Sequence, residues 1–127
     1  MKQENLEKII AFRHVLHEHP EISNHEEYTR KLIKEFILNH MKSYLVFDEK
    51  DWLYCMKPYQ PEKKTIVLRA DHDAIMNSLN TPFHGCGHDG HTAILLGVML
   101  EEEEKESEYN IIYLFQPAEE NGSGAAI

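Results

Sequence analysis

The sequence predicts an α/β fold, with a mixed sheet that contains a βαβ unit and is flanked by helices. Three observations carry this. Thr65–Ala70 and Asn110–Phe115 are short, nearly continuous apolar runs rich in β-branched or aromatic residues, which read as strands. Thr92 to about Glu104, between them, is apolar at helical spacing. Two amphipathic helical patterns and two short strand-like runs precede all three. A chain of 127 residues with 42% hydrophobic content suffices for one core and is short for two ordinary domains.

From Leu6 to His17, apolar residues at Leu6, Ile9, Ile10, Phe12, Val15 and Leu16 predict a first helix, ended by His19-Pro20. Ser23 or Asn24 can cap a second, with Glu26 and Glu27 in its first turn. Tyr28, Leu32, Ile33, Phe36 and Ile37 form its buried stripe before it fades near Asn39 to Met41. Tyr44–Phe47 and Trp52–Met56, joined by the acidic turn Asp48–Asp51, predict a hairpin or sheet edge, and Pro58 and Pro61 mark a loop. Thr65–Ala70 reads as a strand buried on both faces, the following helix as largely covered, and Asn110–Phe115 as the next buried strand.

Strand, helix and strand in this order form a βαβ unit whose strands should be parallel, and ligand sites in open α/β sheets lie at their carboxyl ends. There the pattern brings together Asp71 and Asp73 after the first strand, Cys86 and His88 in the loop entering the helix, and Glu119 and Glu120 after the second strand. In an extended loop Cys86 and His88, two residues apart, point the same way and can grip one cation. Of the adjacent carboxylates Glu119 and Glu120, one can bind metal while the other faces the water that the metal polarises. Asp71 and Asp73 either hold a ligating imidazole in its correct tautomer or cap strand-end amides. His72, pointing oppositely, is expected to be exposed, and His84 and His91 are reserve ligands behind His88. His14, His17, His19 and His25 read as surface helix histidines, and Glu101–Glu104 as a solvated helix end.

Other classes fall away. Net charge is −9, with 13 Lys and Arg scattered among 22 acidic residues, so no basic stripe exists for nucleic acid. No apolar run approaches a membrane span, and the start Met-Lys-Gln-Glu-Asn leads into a charged helix; a soluble cytoplasmic protein is expected. Cys55 and Cys86 make no disulfide framework, and a thiol redox role for Cys86 lacks a nearby resolving cysteine. Asn121–Ile127 reads as a glycine turn followed by the start of another helix, which predicts an incomplete domain.

Taken in order, Arg13, Leu16-His17, Pro20-Glu21, Glu26 and Thr29, then Arg69–Ala74, then His84–His91 with Leu95–Gly97, then Phe115–Glu120, resemble the N-acyl-amino-acid amidohydrolases. These metallopeptidase-like enzymes include hippurate hydrolases, N-acetyl-diaminopimelate deacetylases and auxin-conjugate hydrolases. The resemblance covers nearly the whole chain and rests most on the Cys-Gly-His-Asp and Gln-Pro-Ala-Glu-Glu blocks. It implies that residues 1–127 are the N-terminal portion of a single zinc-peptidase-like catalytic domain, with the lid or dimerisation domain and the C-terminal catalytic segment absent. It further implies a site for two divalent metals, zinc or manganese, with Cys86, His88 and Glu120 as ligands and Glu119 as general acid/base. The expected substrate is a small N-acylated amino acid or peptide. A complementing C-terminal chain or a homo-oligomer is the expected protein partner, and neither nucleic acid nor membrane is.

The chain departs from the family in a short Met76–Pro82 segment and in His72 and Met76, which replace more typical apolar and proline residues. Later histidine ligands of the family have no counterpart. The alternative function is therefore a catalytically inactive fragment or pseudoenzyme that retains part of the metal site.

Overall fold

The computed structural model describes residues 2–22, 26–49, 52–76, 78–85 and 87–116. Helix α1 (Gln3–Glu18) buries Ile9, Phe12 and Leu16, and α2 (Glu27–His40) buries Thr29, Ile33, Phe36 and Ile37. The helices meet through Phe12 and Phe36, whose ring centroids are 4.6 Å apart. Tyr28, expected in the buried stripe, is exposed. The cap of α2 also differs from expectation. Glu26 holds the N-cap position and makes no side-chain cap bond, while Ser23 and Asn24 lie outside the described residues. The carboxylate of Glu21 does the work from outside the helix, accepting the Tyr28 amide at 3.3 Å, and the Thr29 amide at 2.5 Å and hydroxyl at 2.6 Å.

The hairpin β1 (Leu45–Asp48) and β2 (Leu53–Met56) is antiparallel, and Phe47 stacks on Tyr54 at 4.7 Å. Strand β3 (Lys64–Asp71) leads into the two-residue strands β4 (Ile75–Met76) and β5 (Pro82–Phe83), which pair with each other. Helix α3 (His88–Glu102) and strand β6 (Tyr109–Gln116) complete the order. The main sheet runs β1-β2-β6-β3, with β2 antiparallel and β3 parallel to β6. This is the expected mixed sheet with a β3-α3-β6 unit. Asn110 anchors the loop at Pro58–Pro61, accepting the Gln60 amide at 2.9 Å and donating to the Gln60 and Lys63 carbonyls at 2.9 and 3.0 Å.

Two expectations are corrected. Strand β3 is not buried on both faces. It forms one edge of the four-stranded sheet, and Ile66 and Val67 remain 39% and 55% exposed; only its carboxyl end, Ala70 and Asp71, is buried. Helix α3 begins at His88 rather than Thr92, because Gly87 takes a left-handed conformation (φ 78°) as its N-cap and turns the chain directly into the helix. Beyond that first turn, α3 buries Ala93, Leu95, Leu96, Met99 and Leu100 against β3, β6 and α1. These join Leu53, Cys55, Tyr113 and Phe115 in one core. Among the described residues, no helix is long and apolar enough to cross a membrane.

Candidate metal centre

The parallel register of β3 and β6 sets Asp71 beside Gln116 at the carboxyl ends of the two strands. Arg69 ties these ends together, donating from Nε to Gln116 Oε1 at 3.0 Å and from Nη2 to Asp71 Oδ2 at 3.2 Å. The first turn of α3 lies against the same edge, where the Thr92 hydroxyl donates to the Asp71 carbonyl at 2.8 Å.

Three buried aspartates in this corner each hold a histidine. Asp73 Oδ1 is 2.8 Å from His88 Nδ1, which also lies 2.9 Å from the Asp73 carbonyl. Asp71 Oδ1 is 2.7 Å from His91 Nδ1. Asp89 Oδ2 is 2.9 Å from His17 Nδ1 and 3.2 Å from Arg13 Nε, linking the first turn of α3 to α1. Burial alone raises the cost of three carboxylates, and the paired imidazoles and guanidinium groups offset it. At Asp89 burial pushes the pKa up, but the His17 hydrogen bond, the nearby His84 and Arg13 outweigh it and the net shift is downward. At His88 burial favours the neutral ring, yet the Asp71 charge and the Asp73 hydrogen bonds overcome it and raise the pKa. A corner that favours a proton on a buried imidazole has a negative potential, and that potential also favours a metal cation.

Asp73 Oδ1 meets Nδ1 of His88, and the ring's other nitrogen, Nε2, lies 3.7 Å from Asp71 Oδ1. Among the described residues, Asp71, His88 and His91 place one donor atom each within 4.8 Å of one another. Buried carboxylate and oriented imidazole are donor types that zinc and manganese accept, so this corner fits a divalent cation.

The sequence-predicted residues divide as follows. His88 stands at the centre of the corner, on the first turn of α3 and not in an extended loop, and Gly87 before it is left-handed. Cys86, Glu119 and Glu120 lie outside the described residues. Asp71 and Asp73 take the imidazole-holding role, one of the two expected for them. His72 is corrected from exposed to buried, at 1% exposure, because the α1–α2 connection covers its side of the chain. That connection pairs Ile22 with Ala74 in a β-bridge, accepts the Ala74 amide on the Glu21 carbonyl at 2.7 Å, and brings Glu26 Oε2 to 3.7 Å from His72 Nε2. Burial holds the His72 pKa down to about 3. His84 is buried as well, 6.2 Å between ring centroids from His17.

His17 is exposed on α1, as expected, and in addition partners buried Asp89, a role that the sequence alone does not assign to it. The available signal was the spacing of Arg13 and His17, four residues apart and so on one helix face, opposite an Asp immediately after the predicted ligand.

The sequence pattern of the peptidase family M20/M25/M40 matches residues 67–127. The chain is 33% identical over 133 residues to an N-acetyldiaminopimelate deacetylase of Streptococcus uberis, and 36% identical over 134 residues to one of Listeria monocytogenes. Each alignment covers 94% of this chain and 35% of the relative. A Bacillus subtilis dinuclear metal binding peptidase from the M20 family superposes with a TM-score of 0.85 at 27% identity, over 99% of this chain and 39% of that one. The β3-α3-β6 corner and its aspartate–histidine pairs agree with the match of residues 67–127 to peptidase family M20/M25/M40, and the chain spans about a third of the length of the curated relatives it matches.

Proposed function

We propose that this chain supplies the N-terminal portion of a metal-dependent amidohydrolase centre that cleaves the amide bond of N-acyl amino acids or small peptides. The observation that carries the proposal is the Asp73–His88 pair, which fixes one imidazole nitrogen and leaves Nε2 facing Asp71 at the carboxyl edge of β3 and β6. Cys86, His88 and Glu120 hold the metal, two cations per complete site, and Glu119 is the general acid/base. In the sequence Glu119 and Glu120 follow Gln116, the last residue of β6, by three and four positions. Thiolate and imidazole suit zinc, and the carboxylates suit manganese as well.

A divalent cation, when bound, polarises an acyl carbonyl and makes water a better nucleophile at neutral pH. The chain's own residues supply the rest. Asp73 keeps His88 in one tautomer and one orientation. Glu119 takes a proton from the attacking water on its carboxylate and returns it to the departing amine nitrogen, giving a free amino acid and a carboxylic acid. A free thiol ligand and a small metabolite substrate suit a reducing cytoplasmic setting.

The second reading, a catalytically inactive piece that retains part of the metal site, is favoured by the 35% coverage of its relatives. In that case a complementing chain or a second copy provides the remaining ligands. Hydrolysis of N-acetyl amino acids by the purified chain with added Mn²⁺ or Zn²⁺ separates the two. Turnover lost in Glu119→Gln supports the amidohydrolase, whereas metal binding with no turnover in any variant assigns the inactive reading.

A further inference from the structure

A cavity of about 240 Å³ lies at the opposite end of the sheet from the metal corner, between the Pro58–Pro61 loop, the end of α3 and the start of β6. Strand β6 runs from Tyr109 at this cavity to Gln116 at the corner, about 23 Å at the usual rise per residue, so the two places are separate. Tyr44, Ile111 and Tyr113 form an apolar wall. The two phenol rings meet edge to face at 5.5 Å, and the Tyr44 hydroxyl donates to the Met99 carbonyl at 2.6 Å. Burial raises the pKa of both phenols, which keeps this wall uncharged at neutral pH.

The charged side of the cavity is held in place as well. Lys57 Nζ donates to the Glu102 and Lys105 carbonyls at 2.5 and 2.6 Å and stands 5.9 Å from the centroid of the Tyr44 ring. Lys63 Nζ donates to the Ser107 carbonyl at 2.7 Å. An ammonium group carries three N–H donors. Among the described residues Lys57 spends two and Lys63 one on these carbonyls, so both keep donors for a further acceptor beside a neutral aromatic wall. Lys105 joins them in the lining, against Glu102 and Glu106, which leaves one positive charge in excess on a chain of net charge −9. The bonds of Asn110 to Gln60 and Lys63 fasten the facing loop, so the cavity is preformed.

Shape and charge together select a class of ligand. The volume falls below the roughly 300–1,000 Å³ of pockets for drug-sized molecules, so the occupant is small. One excess positive charge suits a monoanion, whereas a dianion such as phosphate meets Glu102 and Glu106 with less compensation. The tyrosine and isoleucine surfaces suit an apolar body. We propose that this cavity binds a small organic monocarboxylate, its carboxylate received by Lys57 and Lys63 and its aromatic or aliphatic body lying on Tyr44, Ile111 and Tyr113. The site is independent of the metal-dependent reading above, and neither depends on the other.

The test is a titration of the isotope-labelled 127-residue chain with phenylacetate at low ionic strength, followed by amide chemical shifts. Acetate, phenylacetamide and phosphate serve as comparisons: the charge without the ring, the ring without the charge, and an anion without an apolar body. The expected result is saturable shifts at residues 57–63 and 105–111, with a dissociation constant on the order of 1 mM for so small a ligand. All three comparison compounds should bind at least about fivefold more weakly, and so should phenylacetate to Lys63→Gln and to Lys105→Glu, which turns the excess charge of the lining negative. Spectral dispersion shows whether each variant is folded, and the exposed position of Lys105 keeps the test valid should Lys63→Gln misfold. Shifts that do not saturate, phenylacetamide or phosphate binding as tightly as phenylacetate, or unchanged affinity in the folded variants would each overturn the proposal.

Discussion

Aspartate 89 shows how a single side chain sets the geometry of this corner. It is buried next to His88 and receives His17 and Arg13 from α1, so the first turn of α3 is latched to the first helix of the chain. Removing the His17 donor leaves a buried carboxylate with less compensation, and hydrogen bonds to charged groups contribute about 1.5–3 kcal/mol. His17→Leu should therefore lower unfolding free energy by roughly 1–3 kcal/mol in urea denaturation. His17→Asn, whose amide nitrogen can stand where Nδ1 stands, should recover most of the loss; equal losses in both would place the effect in packing instead. His88 and its carboxylate partners were legible because Asp-x-Asp and Cys-x-His-Asp-x-His carry few other meanings at a strand end and a helix start. The burial of His72 was not. It depends on the α1–α2 connection crossing over Ala74, a contact between residues 52 positions apart that no local pattern reports.

At the scale of elements, most assignments followed from periodicity, and the failures have separate physical causes. Helix α3 started earlier than its apolar pattern because His88, Asp89 and His91 occupy its first turn for chemistry rather than packing, and the polar residues masked the helical period. The apolar run in β3 was read as doubly buried because composition reports what a strand is able to bury and says nothing of its neighbours in the sheet. The two elements make contrasting predictions. Leu96→Ala in α3, where the side chain is fully buried, should cost about 2–5 kcal/mol by thermal or denaturant unfolding. Ile94→Ala, two residues away and 66% exposed, should change stability by no more than about 0.5 kcal/mol. In β3, Val67→Lys should leave stability within the same margin and reduce self-association measured by light scattering, since charge on an edge strand opposes edge-to-edge pairing. A loss of several kcal/mol would show Val67 to be covered in solution.

The whole molecule places three sequence-distant stretches at one edge by the simplest means an α/β chain has, a parallel strand pair with a helix between. That much of the site was readable from the order strand, glycine- and histidine-rich loop, helix, strand. The chain spans about a third of the length of the relatives it matches. The central claim is that a divalent cation binds at His88. Elemental metal analysis of the purified chain, after Mn²⁺ or Zn²⁺ loading and exhaustive dialysis, tests it most directly. The account predicts bound metal in the unaltered chain and its loss in His88→Ala, with both proteins folded; equal metal content in the two, or none in either, would contradict it.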